Sequence, residues 1–91
     1  MIELFLRVEN KLGLHARAAA RLVRLTSRFS SDIFLSRQGA DQEIDAKSIL
    51  GVLMLAASEG TQLVISIRGP DEAEASETIR HFFESKFGEM Q

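Results

Sequence analysis

Ile2, Leu4, Leu6 and Val8 recur at every second position, with Glu3, Arg7 and Glu9 between them. That is the period of a half-buried strand. Asn10-Lys11-Leu12-Gly13 breaks the alternation, and Gly13 can take backbone angles closed to other residues. From Ala16 the period becomes helical. Ala18, Leu22, Leu25 and Phe29 line one side, with Ala19, Val23 and Thr26 alongside, while Arg17, Arg21, Arg24 and Arg28 occupy the other. The pattern predicts an amphipathic helix of about three turns.

Ser30-Ser31-Asp32 ends that helix, and Ile33 to Arg37 reads as a second strand. Gln38-Gly39-Ala40-Asp41 is a hairpin turn leading to a short strand from Gln42 to Asp45. Lys47 to Ala57 is apolar and helix-prone, with Gly51 weakening its middle and Glu59-Gly60 closing it. Leu63, Ile65 and Ile67 then alternate with Gln62, Val64 and Ser66 in the clearest strand of the chain. Gly69-Pro70-Asp71-Glu72 opens the last helix, where acids oppose the helix dipole favourably. Its buried stripe is Ala75, Ile79, Phe82 and Phe83, ahead of Gly88. Short alternating strands favour an antiparallel sheet with one wet face. Helices on the other face make a two-layer α+β sandwich.

Composition narrows the function. The chain has 91 residues, enough for one domain spanning 1–91, and is 45% hydrophobic and 26% charged. A net charge of -2 speaks against general nucleic-acid binding and against attraction to an anionic membrane. Cysteine is absent, so neither disulfides nor thiolate chemistry is available. The first residues alternate instead of forming the apolar block of a secretory signal. No apolar run approaches the ~20 residues that span a bilayer. The cytoplasm is the expected compartment, and no membrane insertion is expected.

Gly13-Leu14-His15-Ala16-Arg17 places an imidazole where a loop becomes a helix. The first N–H groups of a helix have no internal partner, and the dipole makes that end positive. An anion arriving at His15 would meet those donors, with Arg17 near enough to add a charge-assisted contact. Imidazole in general is a competent nucleophile at neutral pH, its reference pKa being about 6.5. The bland alternative is a polar cap followed by a solvated arginine. The glycine-rich approach, which should expose His15, argues for chemistry.

Ser48 precedes Ile49-Leu50-Gly51-Val52-Leu53 and reads first as a helix N-cap. Phosphorylated, it would change the surface by about -2 charges and so regulate docking. Other routes are weak. The second histidine, His81, lies far along the last helix as a surface or boundary residue, so no metal-ligand cluster is visible. No nucleotide-binding glycine loop or Ser-His-Asp set stands out. The arginines at 17, 21, 24 and 28 fit the wet face of a helix better than an RNA surface.

NKLGLHARAAARL around His15 and DAKSILGVLML around Ser48 together resemble the HPr family. These are the histidine-containing phosphocarriers of the bacterial phosphoenolpyruvate-dependent phosphotransferase system. The resemblance extends over essentially the whole chain. It implies an open-faced β-sandwich of four antiparallel strands and three helices. It implies that enzyme I phosphorylates His15 on Nδ1, that the group passes to an EIIA-type domain, and that Arg17 steadies the phosphate. Ser48 would correspond to the regulatory serine of an ATP-dependent HPr kinase. The partner surface would combine Ala16, Ala20, Arg24 and Ser27 with Ile49, Leu50 and Leu53, for which core packing is the bland reading. The chain would be a monomeric stoichiometric carrier with no cofactor and no metal, not an enzyme.

Two alternatives share these residues. One is a carrier in a nitrogen-related regulatory branch, with the same His15 chemistry and other clients. The other is a non-transferring module read through phospho-Ser48, which the presence of His15 disfavours. One departure stands out: the family pattern usually has proline after the arginine, where this chain has Ala18. Proline in a first helical turn is allowed but not required, and alanine is the best helix former. The helix should therefore form without it, leaving the rigidity of the loop and the transfer rate as what the change affects. Ala18→Pro is expected to keep phosphotransfer competence, and complete loss of His15 phosphorylation in that variant would contradict this.

Overall fold

The structure, a computed structural model, describes residues 1–89. Residues 90 and 91 of the expected domain lie outside the described residues. The elements run β1 (Ile2–Arg7), α1 (Ala16–Thr26), β2 (Asp32–Arg37), β3 (Ile44–Asp45), α2 (Ile49–Leu55), β4 (Gln62–Arg68) and α3 (Glu72–Glu84), followed by a 3₁₀ turn at Lys86–Gly88. The four strands form one antiparallel sheet in the order β1-β4-β2-β3. The three helices pack on one face and leave the other open, the α+β open-faced sandwich that the pattern and the resemblance imply. No helix among the described residues is long and apolar enough to cross a membrane.

Strand periodicity dictates the layering. Register sets Leu4 against Ile65 and Ile65 against Leu35, a row of three side chains that are all buried. The adjacent pair, Phe5 and Val64, turns to the other face, and Phe5 is 63% exposed there. Leu22, Val52, Ile79 and Phe83 from the helices close over the inner face. Each such side chain stabilises the fold by roughly 1.5–3 kcal/mol when fully buried. Phe87, from the 3₁₀ turn, completes this core and meets the Phe83 ring edge-on at a centroid distance of 4.8 Å.

Several boundaries differ from the sequence pattern. β3 keeps only Ile44 and Asp45 of the expected 42–45, because Gln42 and Glu43 are exposed and bring no side chain to the core. α1 ends at Thr26, whose hydroxyl donates to the carbonyls of Val23 and Ala46. Phe29 therefore reaches the core from a loop, not from the helix. α2 is shorter than Lys47 to Ala57, since Ser48 caps its start and Ala56 leaves it in the left-handed region at φ 51°. On α3, Phe83 is buried but Phe82 only half-buried.

Two contacts hold the loops. Gly13 sits at φ +66°, and a Cβ there would collide with the Ala57 carbonyl oxygen. That oxygen accepts the Leu14 N–H at 2.8 Å, so the segment before α1 lies flat against the end of α2. At the opposite end, the Asp71 carboxylate accepts the Ser31 hydroxyl and the N–H groups of Ser30 and Ser31, each at 3.0 Å for the N–H contacts. These bonds, the Ser31 hydroxyl first, lower its pKa to about 2.

Gly13→Ala combines a disfavoured backbone angle, costing about 1–3 kcal/mol, with the Ala57 collision. A clearly lowered melting temperature is expected, and an unchanged one would refute the packing. Asp71 contributes stability above its unfolded value of 3.8, and that contribution is lost as pH falls from there toward about 2. Asp71→Ala should therefore lower stability at neutral pH and flatten the acid limb of the stability–pH curve across that window.

Candidate functional site

His15 is the residue on which β1, α1 and the chain after α3 converge. Its backbone is extended at φ -72° and ψ 179°, and its ring Nδ1 accepts the Arg17 N–H at 3.2 Å, so the imidazole itself caps α1. The His15 carbonyl begins the helical ladder by accepting the Ala19 N–H at 2.8 Å. Nδ1 is thus turned toward the positive end of an 11-residue helix.

The other ring nitrogen has a partner that local sequence did not announce. Nε2 lies 2.6 Å from Glu89 Oε2, a contact across 74 positions. Glu89 Oε1 accepts the Asn10 amide Nδ2 at 2.7 Å, and the same Nδ2 donates to the Gly13 carbonyl at 2.9 Å. Asn10 is fully buried, and its Oδ1 has no hydrogen-bond partner among the described residues. Arg17 Nε stands 3.6 Å from Glu89 Oε2, with most of the arginine side chain in solvent. Burial pushes the Glu89 carboxyl pKa up, but hydrogen bonds from Asn10 and His15, with the Arg17 charge nearby, outweigh it and hold it below the usual value. The expected exposure of His15 is corrected: its side chain is 24% exposed, because Glu89 covers the Nε2 side.

The expected partner residues divide by role in the fold. Ala16, Arg24 and Ser27 are exposed and Ala20 is half-buried along one side of α1. Arg21 is committed elsewhere, its Nη1 donating to the Phe87 carbonyl at 3.1 Å. On α2, Val52 faces the core while Ile49, Leu50 and Leu53 are 42%, 65% and 37% exposed. Core packing is therefore not what these three do. Met54 and Leu12 extend the same apolar exposure. Both were legible, Met54 as the helical neighbour of Leu50 and Leu12 as an apolar residue in a polar loop.

Ser48 is half-buried, and its Oγ accepts the Gly51 N–H at 3.1 Å, so the capping role is real. Lys47 beside it is tied down, with Nζ donating to the Phe29 carbonyl at 2.7 Å. His81 is exposed on α3, where its Nδ1 lies 3.9 Å from the Glu84 carboxylate. It takes no part in the cluster around His15.

Known proteins resemble the chain over nearly its full length. The family pattern described as PTS HPr component phosphorylation site matches residues 3–85. The phosphocarrier protein HPr of Xylella fastidiosa (strain Temecula1) is 49% identical over 89 residues, covering 98% of each chain. The phosphocarrier protein HPr of Cupriavidus necator is 48% identical over 80 residues, covering 88% of each. The crystal structure of HPr-C-His from Thermoanaerobacter tengcongensis superposes with a TM-score of 0.93 at 41% identity, covering the whole of both chains. A polar helix cap, an apolar surface beside it and these full-length matches lead to one conclusion: the chain belongs to the HPr family of phosphocarrier proteins of the phosphotransferase system.

Proposed function

We infer that this chain works as a single phosphocarrier domain over residues 1–91, taking a phosphoryl group from phosphorylated enzyme I on His15 and passing it to EIIA-type domains. The observation that carries this reading is the placement of His15 Nδ1 at the N-terminus of α1, beside Arg17. A nucleophilic lone pair there meets a phosphorus whose oxygens fall among amide donors and a guanidinium. The chain need not lower a chemical barrier alone. Each partner presents its own histidine opposite His15 for in-line transfer, and the fixed dipoles of α1 balance the charge.

Docking belongs to the apolar surface of α2. Ile49, Leu50 and Leu53, with Met54, lie on α2, which packs against α1, the helix that carries Ala16, Ala20 and Arg24 and is capped by Ser27. Exposed apolar area of this kind, rimmed by arginines, fits a transient protein interface. On this reading the chain acts as a monomer, in the cytoplasm with both partners.

Regulation would act through Ser48. Its hydroxyl lies immediately before Ile49 and Leu50, so a phosphate there, placed by an HPr kinase, brings about two negative charges into the apolar face. Docking is weakened without disturbing the core.

Incubation with phosphoenolpyruvate and active enzyme I, followed by mass spectrometry, tests the carrier role. Wild type should gain one acid-labile phosphate and His15→Ala none. No phosphate on wild type would shift the weight to a regulatory protein read through Ser48. Arg17→Ala should keep the fold and slow transfer by roughly tenfold, less than for a buried donor because Arg17 is mostly exposed. Wild-type rates in that variant would remove Arg17 from the mechanism.

A further inference from the structure

The chain beyond α3 makes an expensive turn to reach the site. Lys86 and Phe87 occupy consecutive left-handed positions at φ 58° and 59°, a conformation that costs non-glycine residues about 1–3 kcal/mol each. Burial of Phe87 and the bond from Arg21 to its carbonyl hold the turn in place. The result is that Glu89, beyond the residues matched by the family pattern, sets its carboxylate against His15.

We propose that Glu89 is a positioning residue for phosphotransfer: its carboxylate holds the proton on His15 Nε2 and so leaves the lone pair on Nδ1. The proposal rests on the reading of His15 as the phosphoacceptor. An ionised carboxylate only accepts hydrogen bonds, so at 2.6 Å the neutral ring must carry its hydrogen on Nε2. Nδ1 is then the unprotonated nitrogen; its pair accepts the Arg17 N–H at 3.2 Å and must give up that hydrogen bond to attack phosphorus. The depressed Glu89 pKa keeps the carboxylate ionised at neutral pH.

The same contact serves the transfer step. As the Nδ1 pair forms a bond to phosphorus, the bond from phosphorus to the donor's histidine breaks and its pair returns to that donor ring. No proton moves at His15, which keeps its hydrogen on Nε2 and becomes a cationic, Nδ1-phosphorylated ring. Glu89 already stands where that positive charge develops, in a fixed position that needs no reorganisation. Asn10 holds the carboxylate from the other side, which links the loop before His15 to the same device. Arg17, 3.6 Å from Glu89 and largely solvated, remains free to turn toward the phosphate.

The test compares full-length wild type, Glu89→Ala and Glu89→Gln. In ¹⁵N-labelled, unphosphorylated protein at alkaline pH, wild type should show an Nε2–H resonance protected from solvent exchange. Glu89→Ala should lose that protection, and Glu89→Gln, whose amide oxygen still accepts, should retain much of it. With enzyme I as donor, kcat should fall by about tenfold or more in Glu89→Ala at unchanged KM, with Glu89→Gln intermediate because it lacks the charge. A merely structural Glu89 would lower the melting temperature and leave the ring spectrum and kcat alone. Identical ring spectra in wild type and Glu89→Ala, or a raised KM with unchanged kcat, overturns the proposal. The spectra need no phosphorylation, so their outcome is separate from whether His15 accepts phosphate at all.

Discussion

β4 pairs with β1 on one side and β2 on the other, and its register places Ile65 between Leu4 and Leu35. That row is the constraint on which the molecule depends. Side chains alternate across a strand, so a slip of one residue would move Leu63, Ile65 and Ile67 to the open face and bring Val64 and Ser66 inward. The helices would then have no apolar floor. With the register set, β1 leaves the sheet at a defined height. The loop from Asn10 to Leu14 can dock on the Ala57 carbonyl, and α1 starts at His15.

The site is built by making one imidazole do two structural jobs. Its Nδ1 caps α1, and its Nε2 receives the carboxylate of Glu89. A serine or asparagine would cap a helix as well, but neither offers a second ring atom with its own partner. The cost of this arrangement is spread over distant contacts. Phe87 buries its ring, Arg21 holds the Phe87 carbonyl, and Asn10 is sealed in the interior with one oxygen unpartnered among the described residues. Contacts from three parts of the chain thus fix the ring in place.

The surface around His15 complements that fixed centre. α2 turns Val52 inward and presents Leu50 and Met54 outward, so this short helix contributes as much to the exterior as to the core. Arg24 and Ser27 of α1 flank it. Ser48 at the start of α2 directly precedes the exposed Ile49 and Leu50.

Periodicity alone determined the element order, the antiparallel two-layer plan and the inward residues of β1, β2 and β4, because alternation and helical spacing are local consequences of backbone geometry. The motifs around His15 and Ser48 located two helix caps for the same reason: a glycine, a cap and a helix start lie within a few residues of one another. Element ends were less legible. α1 stops at Thr26 because its hydroxyl bonds to Ala46, a partner far along the chain. Glu89 could not be read at all, since an acidic residue after a glycine carries no local signal of what it touches. Its pairing with His15 spans 74 positions and exists only once Phe87 enters the core and the chain turns back. The sequence alone determined that an imidazole stands at the start of α1; the tertiary structure decided which partner each of its ring nitrogens meets, because those partners come within hydrogen-bond distance only on folding.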